Sequence, residues 1–181
     1  MFTLFSENFL TKKECEDIIL LSKKIELKES ETYTENGSIK NASINKRQLA
    51  FISPNHIPNL EEKVLLYLNN LNIYKNLKYS KIEYFAFNKY ESGDFLKYHS
   101  DGHAIKNLGA TITFIFQLND DYDGGEIVYK IDNQEFTVPK KQGSVFIFDS
   151  NVEHQINKIT HGIRFSLNCW PFLKIEKKSL Y

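Results

Sequence analysis

Lys97-Tyr98-His99-Ser100-Asp101-Gly102-His103 is the stretch from which the rest of the chain can be read. Side chains alternate along an extended segment, so His99 and Asp101, two apart, face the same way. One further imidazole from elsewhere would complete two nitrogens and one carboxylate. Such a set covers one face of an octahedral metal and leaves three positions open. A structural metal site closes its shell, whereas open positions serve exchangeable ligands. The motif needs context: with five histidines in 181 residues, a chance His-x-Asp arises in roughly one such chain in five.

Val152-Glu153-His154 offers the second imidazole, and Arg164 follows it. His103 competes for that place, because in a continuous strand it shares the face of His99 and Asp101. Gly102 is expected to end the strand, which makes His103 a loop residue. His56, between Pro54 and Pro58, and His161, in a turn, read as solvated. Of 23 basic residues only Arg47 and Arg164 are arginine. A chain that defaults to lysine marks each arginine as a place for a rigid, always-charged fork that grips a carboxylate bidentately.

Composition bounds the rest. A chain of this length is expected to form one domain, 1–181, that buries a core without disulfides. The net charge of zero gives no basic footprint for nucleic acid. Met1 to Glu7 shows neither a basic start nor a long apolar run, so no signal peptide is expected. Cys15 and Cys169 are too few for a disulfide framework and fit a reducing, cytoplasmic setting.

Along the chain, Phe2 to Phe9 reads as an edge strand. Thr11-Lys12-Lys13-Glu14 is a capping box opening a helix to about Lys24. About Glu29 to Asn45 is polar, with a turn at Asn36-Gly37, and reads as a surface loop or a lid. Arg47 to Ile52 reads as a strand. Asn59 is placed to cap a second helix whose Leu60, Val64, Leu68 and Leu71 share a face. From Ile82 the period falls to two, and short strands alternate with Gly and Asn turns to Phe172. Two helices followed by about eight strands predict a mostly β fold, a jelly roll or barrel with the helices packed on one sheet. The segments His154–Ile159 and Ile163–Pro171 are expected to pair as adjacent antiparallel strands, placing Arg164 deeper than His154. A buried arginine must be paired. A dicarboxylate bound to the metal at one end and to Arg164 at the other would satisfy both, which points to 2-oxoglutarate.

The run Tyr90-x-x-Gly93-x-Phe95-x-x-x-His99-x-Asp101, then Leu118-Asn119-Asp120-x-x-x-Gly124-Gly125-Glu126, resembles the prolyl 4-hydroxylase branch of the 2-oxoglutarate/Fe(II) oxygenases. So do Gly143-Ser144-x-x-x-Phe148-x-x-x-x-x-His154 and Gly162-x-Arg164-x-Ser166-Leu167-x-x-Trp170. The resemblance spans about 82–172. It implies a double-stranded β-helix core, with His99, Asp101 and His154 as ligands of Fe(II). It also implies Arg164 on the distal carboxylate of 2-oxoglutarate with Tyr90 as a helper, Trp170 near substrate, and ascorbate as an accessory reductant. Ser166, two after Arg164, shares its face and can add a hydroxyl to the same carboxylate. Two departures stand out. Arg164 replaces the lysine usual in collagen-type members, and Gln117 replaces an aromatic residue before Leu-Asn. The implied activity is hydroxylation of prolyl residues in a peptide or protein, with release of succinate and CO2. The alternatives are an oxygenase of nucleic acid or a small metabolite, and a non-catalytic metal-binding jelly roll. The role of Arg47 stays open between a surface pair and a contact at the mouth of the site.

Overall fold

The computed structural model describes residues 2–34, 37–39, 42–71, 78–102 and 111–173, with the backbone alone for 32–34 and 37–39. Two antiparallel sheets face each other. One has seven strands, in the order Thr3–Ser6, Val145–Asp149, Ile112–Gln117, Arg164–Cys169, Phe85–Tyr90, Gln48–Ile52, Lys28–Glu29. The other has five, in the order Gln134–Thr137, Ile127–Ile131, His154–Ile156, Phe95–His99, Asn45–Lys46.

The period of two assigns each strand's residues to two separate environments. On the outer face of the larger sheet, Phe85, Phe87, Phe114, Phe116, Val145, Ile147, Leu167 and Cys169 form one buried cluster with the helix residues Cys15, Ile18, Leu60, Val64 and Leu68. The intervening residues Ile115, Phe146 and Phe148 join Leu96, Ile127 and Ile156 of the smaller sheet in a second cluster between the sheets. The predicted jelly roll with helices on one sheet is therefore what forms.

The first helix, Lys12–Ser22, starts on the predicted capping box: Thr11 accepts from the Glu14 amide, and Glu14 accepts from the Thr11 amide. The second spans Leu60–Leu71 and presents Leu60, Val64 and Leu68 inward. Asn59 precedes it at a φ of 67°, outside the extended conformation an N-cap normally adopts. Its carbonyl accepts the first intrahelical bond, from Lys63. Among the described residues no helix is long and apolar enough to cross a membrane.

Two local expectations fail. The segment from Glu29 to Asn45 contains an antiparallel hairpin, Thr32–Thr34 with Gly37–Ile39, and Asn45–Lys46 pairs with Phe95–Leu96. Its backbone bonds are satisfied as strands, which polar side chains do not forbid when one face meets water. His154–Ile156 and Arg164–Cys169 are not sheet neighbours either. The former pairs with Phe95–His99 and Ile127–Ile131, the latter with Phe85–Tyr90 and Ile112–Gln117. Between them Ile159–His161 pairs with Asp123–Gly124, and the chain crosses from one sheet to the other. Arg164 reaches the interior from the opposite wall rather than from a neighbouring strand.

Candidate metal centre and the cavity around it

His99 ends its strand and His154 begins the adjacent one, and the register sets them directly opposite each other. Their rings lie 4.2 Å apart between centroids. Asp101 follows His99 by two residues, and its Oδ1 is 3.6 Å from His99 Nε2. One donor atom from each of His99, Asp101 and His154 lies within 4.8 Å of the others. His103 lies outside the described residues.

The surrounding hydrogen bonds leave the right atoms free. His99 Nδ1 is 2.9 Å from the Lys97 carbonyl and His154 Nδ1 is 3.0 Å from the Val152 carbonyl. A carbonyl only accepts, so each Nδ1 carries the hydrogen and each Nε2 keeps a lone pair. Asp101 Oδ2 accepts from Trp170 Nε1 at 3.1 Å and from Thr113 Oγ1 at 2.9 Å, which turns Oδ1 toward the imidazoles. Burial, helped by the neighbouring His99, lowers the His154 pKa to about 4 and keeps that ring neutral. Burial alone would raise the Asp101 pKa, but the neighbouring His99 and His154 and the hydrogen bond from Trp170 hold it well below the usual carboxylate range. Two imidazoles presenting Nε2 and one carboxylate, each oriented from behind, suit a divalent ion with open positions.

The centre opens on a cavity of about 350 Å³, a size suited to a small molecule. Its floor consists of alternate residues from three neighbouring strands and their ends: Arg47, Leu49 and Phe51; Tyr84, Ala86, Asn88 and Tyr90; Arg164, Ser166, Asn168 and Trp170. Sequence alternation predicted Ser166 on the face of Arg164, and the hydroxyl accepts from Arg164 Nη1 at 3.0 Å. Arg164 is fully buried. Its Nη2 donates to Gln117 Oε1 at 3.2 Å, its Nε has no partner, and no carboxylate among the described residues pairs with it. Its guanidinium lies over the Tyr90 ring, 5.2 Å from the centroid. Gly125 makes room for it: φ there is +65°, and a Cβ would lie 2.2 Å from Ile159 Cδ1 and 3.2 Å from Arg164 Cδ. A buried cation with neutral partners only, in one cavity with a metal-type triad, is a place for an anion.

Two residues gain roles that the sequence does not assign. Gln117, behind the cavity wall, holds the second arm of Arg164 and donates to the Asn119 carbonyl and the Tyr122 hydroxyl, both at 2.6 Å. Its place in a buried strand two before Asn119 was the available signal. Arg47, left open between surface and mouth, lines the cavity and donates from Nη1 to the Tyr90 hydroxyl at 2.9 Å. Ile44 and Asn45, from the segment read as a loop or lid, line it too.

Residues 85–172, which include the triad and Arg164, match the model of the 2OG-Fe(II) oxygenase superfamily. Among curated proteins, a PKHD-type hydroxylase of Shewanella oneidensis is 34% identical over 92 residues, 46% of this chain and 40% of that protein. A PKHD-type hydroxylase of Bordetella pertussis is 30% identical over 93 residues, 46% of this chain and 41% of that one. The chain thus spans about 40% of the length of the curated relatives it matches. Among solved structures, a prolyl-4-hydroxylase from Pseudomonas putida superposes with a TM-score of 0.73 at 19% identity, covering 94% of this chain and 91% of that one. A Trichoplax adhaerens prolyl hydroxylase, in complex with a hypoxia inducible factor peptide fragment, gives 0.78 at 16% identity, covering 94% and 83%. At these identities the likeness is one of fold.

Proposed function

The chain belongs to the 2OG-Fe(II) oxygenase superfamily, and from that premise we propose that it is an Fe(II)- and 2-oxoglutarate-dependent dioxygenase hydroxylating prolyl residues in a peptide or protein. The observation that carries the co-substrate is Arg164, buried with no anionic partner among the described residues and sharing a cavity with the triad. A dicarboxylate whose near end binds the metal and whose far end meets Arg164 supplies the missing charge.

Bound together, Fe(II) and 2-oxoglutarate would supply the oxidation of an unactivated C–H bond by dioxygen, one oxygen atom going to the hydroxylated product and the other to succinate as CO2 is lost. The chain's own residues position these partners. His99 and His154 would hold the metal through Nε2 and Asp101 through Oδ1, three donors that would leave room for exchangeable ligands. Arg164 and Tyr90 take the distal carboxylate, with Ser166 and Gln117 holding the Arg164 fork in plane. Leu49, Leu96, Ile115 and Ile156 make the intervening wall apolar and keep water out.

Support for a peptide substrate comes from an aromatic rail leading outward from the triad. Trp170, bonded to Asp101, meets Tyr84 at 6.0 Å, and Tyr84 meets Phe51 at 4.7 Å between centroids. Phe51 is 53% exposed at the outer end. Flat apolar faces suit a proline ring, and a fixed φ with no N–H lowers the cost of laying out an extended peptide. The test is mass spectrometry of peptide libraries and host proteins after incubation with Fe(II) and 2-oxoglutarate. A gain of one oxygen on proline, lost in His154→Ala, is the expected outcome. Oxidation of a nucleoside or small metabolite with no peptide modified would overturn the substrate assignment.

A further inference from the structure

The chain's only two arginines, 117 residues apart (164 − 47), meet at one tyrosine. Three neighbouring strands bring them there. Arg164 is the register partner of Tyr90, and on the other side Gln48 is the partner of Lys89. Arg47, one residue before Gln48, therefore falls beside Tyr90. The outcome is a row, Arg47–Tyr90–Arg164, across the cavity floor. The Arg47 Cζ is 5.9 Å from the centroid of the Tyr90 ring and the Arg164 Cζ is 5.2 Å from it.

The direction of the Arg47–Tyr90 bond decides what the row can do. A guanidinium has donors only, so Arg47 Nη1, 2.9 Å from Tyr90 Oη, uses a lone pair of the phenol and leaves its hydrogen free. No acceptor among the described residues takes that hydrogen. The Nε groups of Arg47 and Arg164 are likewise buried without partners. Three donors without acceptors at one end of a cavity call for an anion. Burial makes each unmet donor costly until one arrives.

We propose that Arg47 is a positioning residue for the co-substrate and acts through Tyr90; this rests on Arg164 being the anchor of 2-oxoglutarate. By occupying the phenolic oxygen from one side, Arg47 turns the O–H toward the carboxylate gripped by Arg164. As a charged donor it also polarises the phenol and strengthens the bond the phenol gives. Lysine is a poor substitute, because its rotating ammonium cannot hold the phenol oxygen while lying against the ring as a planar fork does.

A double-mutant cycle read by calorimetry tests this, titrating 2-oxoglutarate into Mn(II)-loaded protein. Wild type, Arg47→Leu, Tyr90→Phe and the double variant are compared, with Arg47→Lys as the conservative control. Each single change is expected to weaken 2-oxoglutarate by about tenfold. The double variant is expected to bind no more weakly than Tyr90→Phe alone, and Mn(II) affinity to stay unchanged throughout. Arg47→Lys should recover part of the loss. Tyr90→Phe keeps the buried ring, so a folded variant is available even where Arg47→Leu is unstable, and a Tyr90→Phe protein with wild-type affinity overturns the proposal. So does an unchanged affinity in Arg47→Leu. Losses that multiply in the double variant overturn it too, since they would place Arg47 directly on the ligand. A wild-type protein that binds Mn(II) but not 2-oxoglutarate fails at the earlier step, the Arg164 anchor, and takes this proposal with it.

Discussion

Replacing Arg164 by methionine separates its cost in the free protein from its use in the liganded one. In the free protein the guanidinium is fully buried with two neutral acceptors, Ser166 Oγ and Gln117 Oε1, and a bare Nε. Methionine fills much of the same volume, removes a desolvated charge, and orphans the Gln117 oxygen. Removing buried charge in favour of packed apolar atoms is often neutral or stabilising by about 1–4 kcal/mol. The orphaned acceptor costs about 1–3 kcal/mol in return. The two nearly cancel, so the melting temperature of Arg164→Met should stay within about 4 °C of wild type. In the complex the same change strips a buried carboxylate of its cation, at about 2–5 kcal/mol. At about 3 kcal/mol, 2-oxoglutarate binding falls on the order of a hundredfold. Calorimetry on Mn(II)-loaded protein and thermal unfolding followed by circular dichroism read the two quantities. An affinity within threefold of wild type refutes the anchor. A melting temperature lower by more than about 10 °C refutes the reasoning that this cation is a burden to the empty fold.

Trp170→Phe keeps a ring beside Tyr84 but deletes the donor to Asp101 Oδ2; Mn(II) affinity should fall about tenfold, as for other groups that orient a metal ligand. His154→Ala should abolish metal-dependent 2-oxoglutarate turnover, measured as succinate release, while His103→Ala leaves most of it. Gly125→Ala forces a side chain into a site with φ +65° and Ile159 Cδ1 at 2.2 Å; a loss of about 1–3 kcal/mol in denaturant melts is expected. Cys15 is buried, which pushes its pKa up to about 11. The folded state therefore holds that proton after the unfolded chain has released it. Stability should be unaffected below about pH 9 and should fall from there to about pH 11, with Cys15 resisting iodoacetamide at pH 8 in the native protein.

Much of this was legible in the sequence because it rests on short-range rules. The capping box, the helical stripe of Leu60, Val64 and Leu68, and the period of two after Ile82 each act within one element. His99 with Asp101 follows from alternation, and Ser166 with Arg164 does so too. The parts that were not legible depend on which strands become neighbours. Arg47 comes beside Tyr90 through the pairing of Gln48–Ile52 with Phe85–Tyr90, a register no local pattern encodes. The misplacement of His154–Ile156 beside Arg164–Cys169 has the same origin. Adjacency in sequence suggested a hairpin, while Ile159–His161 found its partner in Asp123–Gly124. The Thr32–Ile39 hairpin carries no apolar alternation to announce it.

The alternation of the larger sheet has a consequence for how such a protein can change over generations. Phe85, Phe87, Leu167 and Cys169 point at the helices, while Ala86, Asn88, Tyr90, Ser166 and Asn168 point at the cavity. The two sets share strands but not neighbours, so substitutions at Ala86, Asn88 or Asn168 can retune what the cavity accepts and leave the helix-packed core alone. Insertions have no such freedom. One extra residue within Arg164–Cys169 would exchange the faces of every residue beyond it, driving polar groups against Val64 and Leu68 and apolar ones into the cavity. The strand tolerates new letters readily and a new length hardly at all.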